Sequence, residues 1–315
     1  MTQPNKKNKP EAPNIVKNIK KYAIFNPEGG LGKIIASTAI AKAIKEKYPD
    51  RTLIVVTPWP EVYLNNPLVE RVYRPGAMPY FYQDYIKGKD TIVFKGEPYF
   101  NTGHLYNKQH LIKSWCETHS LEYNENLTPE LYFTSAESTR VQGQVVRDKP
   151  TLLLQTNGGM YKGNNMQYCW TRDMPYNQAQ ILCDELSKQF QIIHVTRPEC
   201  PQLNNTETLQ EVDKRTLMLM AGLCTKRILI DSCLQHAAAA LKAKSTVLWV
   251  ATHPEVFGYK LHNNIKPAVE FRDNQNTQYI DSSFFDYDFN GPEHEYPFAS
   301  PDVFNLQEIV DSLID

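Results

Sequence analysis

No two of the six cysteines form a Cys-x-x-Cys pair, and no apolar run approaches the ~18 residues of a membrane span. Cys116, Cys169, Cys183, Cys200, Cys224 and Cys233 are scattered, several among apolar residues as small hydrophobes would be. A disulfide scaffold is therefore excluded, and a reducing, cytoplasmic setting is expected. The opening "MTQPNKKNKPEAPNIVKNIKK" has lysines but lacks the apolar centre of a signal peptide. Residues 1–20 are expected to form a flexible arm, and any membrane contact would be peripheral. Net charge is also missing: 34 basic against 35 acidic residues leave −1. No long-range field then favours nucleic acid, and a charged ligand must be bound locally. Histidines and carboxylates show neither HExxH nor paired-ligand spacing, so no metal ion or other cofactor is expected.

What is present is alternation. A chain of 315 residues has room for two domains, and short apolar runs alternate with amphipathic ones, the mark of parallel sheets covered by helices. Strands are predicted at "YAIF", "TLIVV", "VERVY" and "TIVF", then at "TLLLQ", "QIIHV", "RILI" and "STVLWV". Between the first two, Ile34, Ala41, Ile44 and Tyr48 share one helical face, while Lys42, Lys45, Glu46 and Lys47 fall elsewhere. Pro49 ends that helix. Further helices are predicted near 176–189, 213–224 and 233–242, with a last one in "DVFNLQEIVDSLI". The pattern weakens in "ESTRVQGQVVRDKP", which places a boundary between domains at 21–145 and 150–315. The expected architecture is α/β, with two Rossmann-like domains facing a central cleft. The aromatic-rich segment 272–301 has no period of its own. It reads as a loop over the domain seam or as an aromatic platform for an acceptor.

"FNPEGGLGKIIAST" fails both common phosphate-loop patterns. A Walker A loop needs Ser or Thr after Gly32-Lys33 and a glycine where Pro27 stands; a dinucleotide fingerprint beginning at Gly30 and Gly32 needs a glycine where Ile35 stands. What survives is a strand running through a glycine turn into a helix whose free N–H groups welcome anions. Lys33 adds a charge that this helix end does not favour alone, which implies an anionic partner unless the lysine is simply solvated. In "ILIDSCLQHAAAALKAK" a second strand ends at Asp231 and a helix starts near Ser232, with His236 one turn in, either as a donor or as a satisfied core residue. The small residues Ala237 to Ala240 would let this helix lie close to a sheet. "LLLQTNGG" repeats the design at Asn157, Gly158 and Gly159, and Lys162 and Arg172 follow as candidate diphosphate contacts or surface charges.

Three blocks resemble glycosyltransferase family nine, the heptosyltransferase-like enzymes. They are residues 29–73, beginning "GGLGKIIAST" and containing "KYPD" and "NNPLVERVY"; 152–186, "LLLQTNGGMYKGNNMQYCWTRDMPYNQAQILCDEL"; and 231–259, "DSCLQHAAAALKAKSTVLWVATHPEVFGY". Together they span about a third of the chain. The last is similar to the family signature D-[ST]-G-x-x-H-x-A-A-A-L with its T-x-P loop. The resemblance implies the GT-B fold, with an N-terminal acceptor domain and a C-terminal nucleotide-sugar domain. It also implies an inverting, metal-independent transfer from a nucleotide-diphosphate sugar to a saccharide or glycolipid acceptor. Carried over, Asp231, Ser232 and His236 would surround the diphosphate, with Thr252 and Pro254 nearby; Gly30, Gly32, Asn157, Gly158 and Arg172 would complete the donor site.

The departures fall on the chemistry. Lys33 stands where the family carries its expected base, an aspartate; Cys233 replaces a glycine; Val250 and Ala251 replace Gly-Pro. Glu28 is the nearest carboxylate in the loop and becomes the expected base, with Glu97 and His104 as substitutes, while Lys33 would bind a donor or acceptor phosphate. Two other readings stay open: a protein of this fold that binds nucleotide sugar or glycan without catalysis, and a nucleotide-sugar epimerase. A nicotinamide-dependent oxidoreductase is disfavoured by the failed fingerprint.

Overall fold

The computed structural model describes residues 19–158, 172–250, 252–269 and 300–314. Residues 1–18 of the expected arm, Gly159, Lys162, Ala251 and most of the aromatic segment lie outside these residues.

Four strands, β1 (Lys21–Phe25), β2 (Thr52–Val56), β3 (Arg71–Tyr73) and β4 (Asp90–Phe94), form a parallel sheet in the order β3-β2-β1-β4. Six more, β5 (Thr151–Gln155), β6 (Gln191–Val195), β7 (Glu207–Leu209), β8 (Lys226–Ile230), β9 (Thr246–Leu248) and β10 (Asn263–Ile265), form a second parallel sheet, ordered β10-β9-β8-β5-β6-β7. The helices of the first half are α1 (Leu31–Lys47), α2 (Phe81–Tyr85), α3 (Thr102–Asn107), α4 (Leu111–Thr118) and α5 (Ser135–Val145). Those of the second are α6 (Tyr176–Leu186), α7 (Lys214–Leu223), α8 (Cys233–Ala240), α9 (Pro254–Phe257) and α10 (Leu306–Asp311). Both sheets are doubly wound. Strand order reverses between β1 and β4 in one and between β5 and β8 in the other, and ligands of such sheets bind beyond the carboxyl ends at that reversal.

Two-residue alternation distributes the strand side chains. Ala23 and Phe25 enter a core shared by both sheets, whereas Tyr22 and Ile24 face the outer side of the first sheet. In the second sheet Leu153 enters the shared core, and Leu152 and Leu154 pack under α6 and α10. The shared core is contiguous from Phe25 to Trp249, so the two sheets meet across packed apolar residues.

Helix α1 departs from its predicted single apolar face, since Ile34, Ile35, Ala36, Ile40, Ala43 and Ile44 are all buried. It lies between its own sheet and α8, and a helix enclosed on two sides has no polar face along that stretch. The alanines of α8 serve this approach to α1 and α7 rather than to a sheet alone. The polar segment at the expected boundary is helical: a reciprocal Thr134–Glu137 capping box starts α5, and Val141 and Val145 are buried in the shared core. "VERVY" contributes only Arg71–Tyr73, and the three-residue edge strands β7 and β10 were not anticipated. Among the described residues no helix is long and apolar enough to cross a membrane.

Candidate functional site

Each glycine or serine turn sits where its topology puts it, at a strand's carboxyl end. After β1, the Asn26 amide N–H donates to the carbonyl of Phe94 on β4, and its side chain donates to that of Val56 on β2, both at 2.9 Å. The loop is thus tied to both neighbouring strands. Gly29 adopts φ +121°, and a Cβ there would lie 2.8 Å from Cδ of Lys33, so only glycine suits the turn. Gly32 faces the other sheet. A Cβ on it would come 2.9 Å from Cδ2 of His236 and 3.2 Å from Cα of Cys233. The first turns of α1 and α8, one from each sheet, are therefore in van der Waals contact. Neither N-cap, Gly30 or Ser232, provides a side-chain hydrogen bond to the first-turn amides, as the caps of most helices do.

The anion that Lys33 calls for is supplied by the chain itself. Its ammonium lies 2.6 Å and 2.5 Å from the two carboxylate oxygens of Glu97, which follows β4. It also lies over the rings of Tyr99 at 4.5 Å and Trp115 at 5.4 Å. The lysine side chain is 8% exposed and that of Glu97 35%. A phosphate partner for Lys33 is thus not required by charge balance. Glu28, the expected base, is 59% exposed and lies 3.2 Å from the ammonium of Lys95. His104 is buried, 5.1 Å from Tyr99 and 5.8 Å from Phe257 between ring centroids, which places it at the seam.

On the second sheet, Gln155 at the end of β5 donates at 3.2 Å to the Ser232 hydroxyl across the strand reversal. The Asn157 side chain, expected to meet the donor, is buried and donates to the Thr196 hydroxyl at 2.8 Å while accepting from the Arg197 amide at 3.3 Å. It fixes the loop after β6. The Gly158 amide is likewise taken, by the Asp173 carboxylate at 2.9 Å. Asp173, which the sequence did not single out, is buried and lies 3.9 Å from the Arg197 guanidinium. Thr156, Asn157, Asp173, Met174 and Tyr176 line a cavity of about 330 Å³ beside this turn.

Asp231 and His236 are buried, and Nδ1 of His236 shares a 2.8 Å hydrogen bond with the Tyr259 hydroxyl. Burial, reinforced by His110, His262 and Arg172, pushes the His236 imidazole down to about 3, so it is neutral at physiological pH. Asp231 helps push the Tyr259 phenol up, after burial. Arg172 therefore acts electrostatically on the same cluster. The Thr252 hydroxyl is buried without a hydrogen-bond partner among the described residues.

No family model and no curated protein matches the sequence. Solved structures do match. The E. coli ADP-heptose lipopolysaccharide heptosyltransferase II superposes with a TM-score of 0.61 at 12% identity, over 93% of this chain and 98% of that one. The chain has the heptosyltransferase-like GT-B fold. A family-nine glycosyl transferase from Veillonella parvula superposes with a TM-score of 0.60 at 10% identity, over 79% of this chain and 86% of that one. E. coli heptosyltransferase WaaC, solved with ADP, gives 0.53 at 10% identity, over 78% and 93%. At these identities the shared property is the fold.

Proposed function

We propose that the protein is a glycosyltransferase that moves a sugar from a nucleotide-diphosphate sugar to a saccharide or glycolipid acceptor, with inversion and without a metal ion. One observation carries this reading: uncapped first turns from two doubly wound sheets meet at Gly32 and Cys233. Two helix N-termini there converge partial positive charge on one point, as a departing diphosphate requires. The amides at the start of α8 would hold the diphosphate, the Ser232 and Thr252 hydroxyls would add hydrogen bonds, and Arg172 a full charge. His236, neutral and held between Tyr259 and the Gln235 side-chain amide, would shape the floor of the site without adding charge. The acceptor would enter along the first sheet. The cytoplasm suits both the free thiols and a soluble nucleotide donor, with membrane contact limited to the periphery.

Thermal shift over a panel of nucleoside mono- and diphosphates and their sugars tests the proposal. A ligand of the folded state raises the melting point by mass action, by roughly 2.7 kcal/mol of stability at a hundred times its Kd. One diphosphate series should stabilise the protein more than its monophosphate. No stabilisation by any diphosphate would overturn the reading. Lys33 at the family's aspartate position favours a second reading, binding without transfer; nucleoside diphosphate released from a nucleotide sugar by the purified protein would reject it.

A further inference from the structure

We infer that Glu97 is the general base of the reaction, an inference that rests on the glycosyltransferase reading above. Three observations lead to it. Glu97 follows β4, which borders β1 at the strand reversal of the first sheet, so its carboxylate overhangs the start of α1, where that sheet's ligand site lies. Lys33, from the first turn of α1, then holds both carboxylate oxygens. That lysine is itself fixed, by burial and by the Tyr99 and Trp115 rings. The chain has thereby exchanged the charges of the site: the α1 position where the resemblance expects a carboxylate carries the cation, and the carboxylate arrives from β4 within 2.6 Å of it.

Glu97 is also open enough to act. A carboxylate offers about four acceptor positions; Lys33 takes one on each oxygen, and the Tyr99 amide makes a longer contact at 3.4 Å. With its side chain 35% exposed, the Glu97 carboxylate remains accessible to an acceptor hydroxyl. Glu28 has neither the anchoring nor the enclosure, since it is mostly exposed and paired with an exposed lysine. In the step assigned here, Glu97 takes the proton from the acceptor hydroxyl as that oxygen bonds to the anomeric carbon. The bond from that carbon to the diphosphate oxygen breaks, and its electron pair leaves with the nucleoside diphosphate. Protonated Glu97 then returns its proton to water.

The experiment measures nucleoside diphosphate release from UDP-glucose, GDP-mannose and ADP-glucose with water as acceptor, and calorimetric affinity for the matching diphosphate. Glu97→Gln should lower kcat by about 100-fold or more, with KM and diphosphate affinity within about threefold of wild type. Because that variant leaves a buried lysine unpaired, Lys33→Gln/Glu97→Gln is measured beside it, with its melting point; removing both charges avoids an unpaired buried charge and should lose turnover equally. Near-normal turnover in the double variant, or a comparable loss in Glu28→Gln alone, overturns the assignment while leaving the glycosyltransferase reading intact. Wild-type protein that cleaves none of the three sugars and binds none of the diphosphates rejects both.

Discussion

Replacing Arg215 with alanine should lower the free energy of unfolding by about 3 kcal/mol, the low end of the cost of breaking a buried ion pair, because the Glu137 side chain left behind is a quarter exposed. Arg215 opens α7 and is buried. Its guanidinium donates to both Glu137 oxygens at 2.6 and 2.9 Å, to the Tyr132 carbonyl at 2.8 Å and to the Glu61 carbonyl at 3.0 Å. One side chain thus joins α7 of the second sheet to α5, to the segment before it and to the turn after β2. It also lies 4.2 Å from the Phe133 ring centroid, so alanine removes packing as well as charge. Glu137 would be left without its main partner, and the Tyr132 and Glu61 carbonyls at the seam would each lose a donor. The guanidinium, with help from Thr134, holds the Glu137 carboxyl down to about 2, consistent with a strong pair. Urea denaturation of wild type, Arg215→Ala, Glu137→Ala and the double variant measures the coupling. Additive losses would mean that the pair does not bind the halves together.

Acidification from pH 7.5 to 5 should remove on the order of 5 kcal/mol of stability, much of what a chain of this kind possesses. Three histidines account for it. Burial pushes His194 and His262 down to about 4 and His236 to about 3. His194 shares a hydrogen bond with Thr156 and His262 with the Gln235 carbonyl, and all three remain neutral in the fold. The sign follows from the unfolded value near 6.5. Above it the imidazoles are neutral in both states; as pH falls from about 6.5 towards 4, the unfolded chain takes up protons that the folded chain refuses. Each histidine then costs about 2 kcal/mol by pH 5. Glu137, whose value is depressed from 4.5, loses its contribution only as pH falls from there towards 2, so the two effects separate. Stability that stays flat between pH 7.5 and 5 would contradict the buried neutral histidines, and His262→Gln should reduce the slope.

Where apolar residues alone decide structure, the sequence was legible. "TLIVV", "TLLLQ" and "QIIHV" became strands at their predicted residues because strands buried on both faces read as unbroken apolar runs. β7 and β10 gave no such signal: three-residue edge strands such as "ETL" and "NNI" need little apolar surface. The site was half legible. Glycine turns marked the strand ends correctly, but a local pattern does not reveal what lies opposite. Lys33 finds its counter-ion 64 positions away, and Asn157 spends its amide on Thr196 and Arg197 from a neighbouring loop. The burial of α1 was hidden for the same reason, since its second neighbour, α8, is nearly 200 positions distant.

The most direct measurement is a crystal structure with the nucleoside diphosphate that raises the melting point most. The diphosphate should lie within hydrogen-bond reach of the first-turn amides of α8, beside Gly32 and the Ser232 hydroxyl. A diphosphate bound instead on the outer face of either sheet, away from the junction of α1 and α8, would contradict the account.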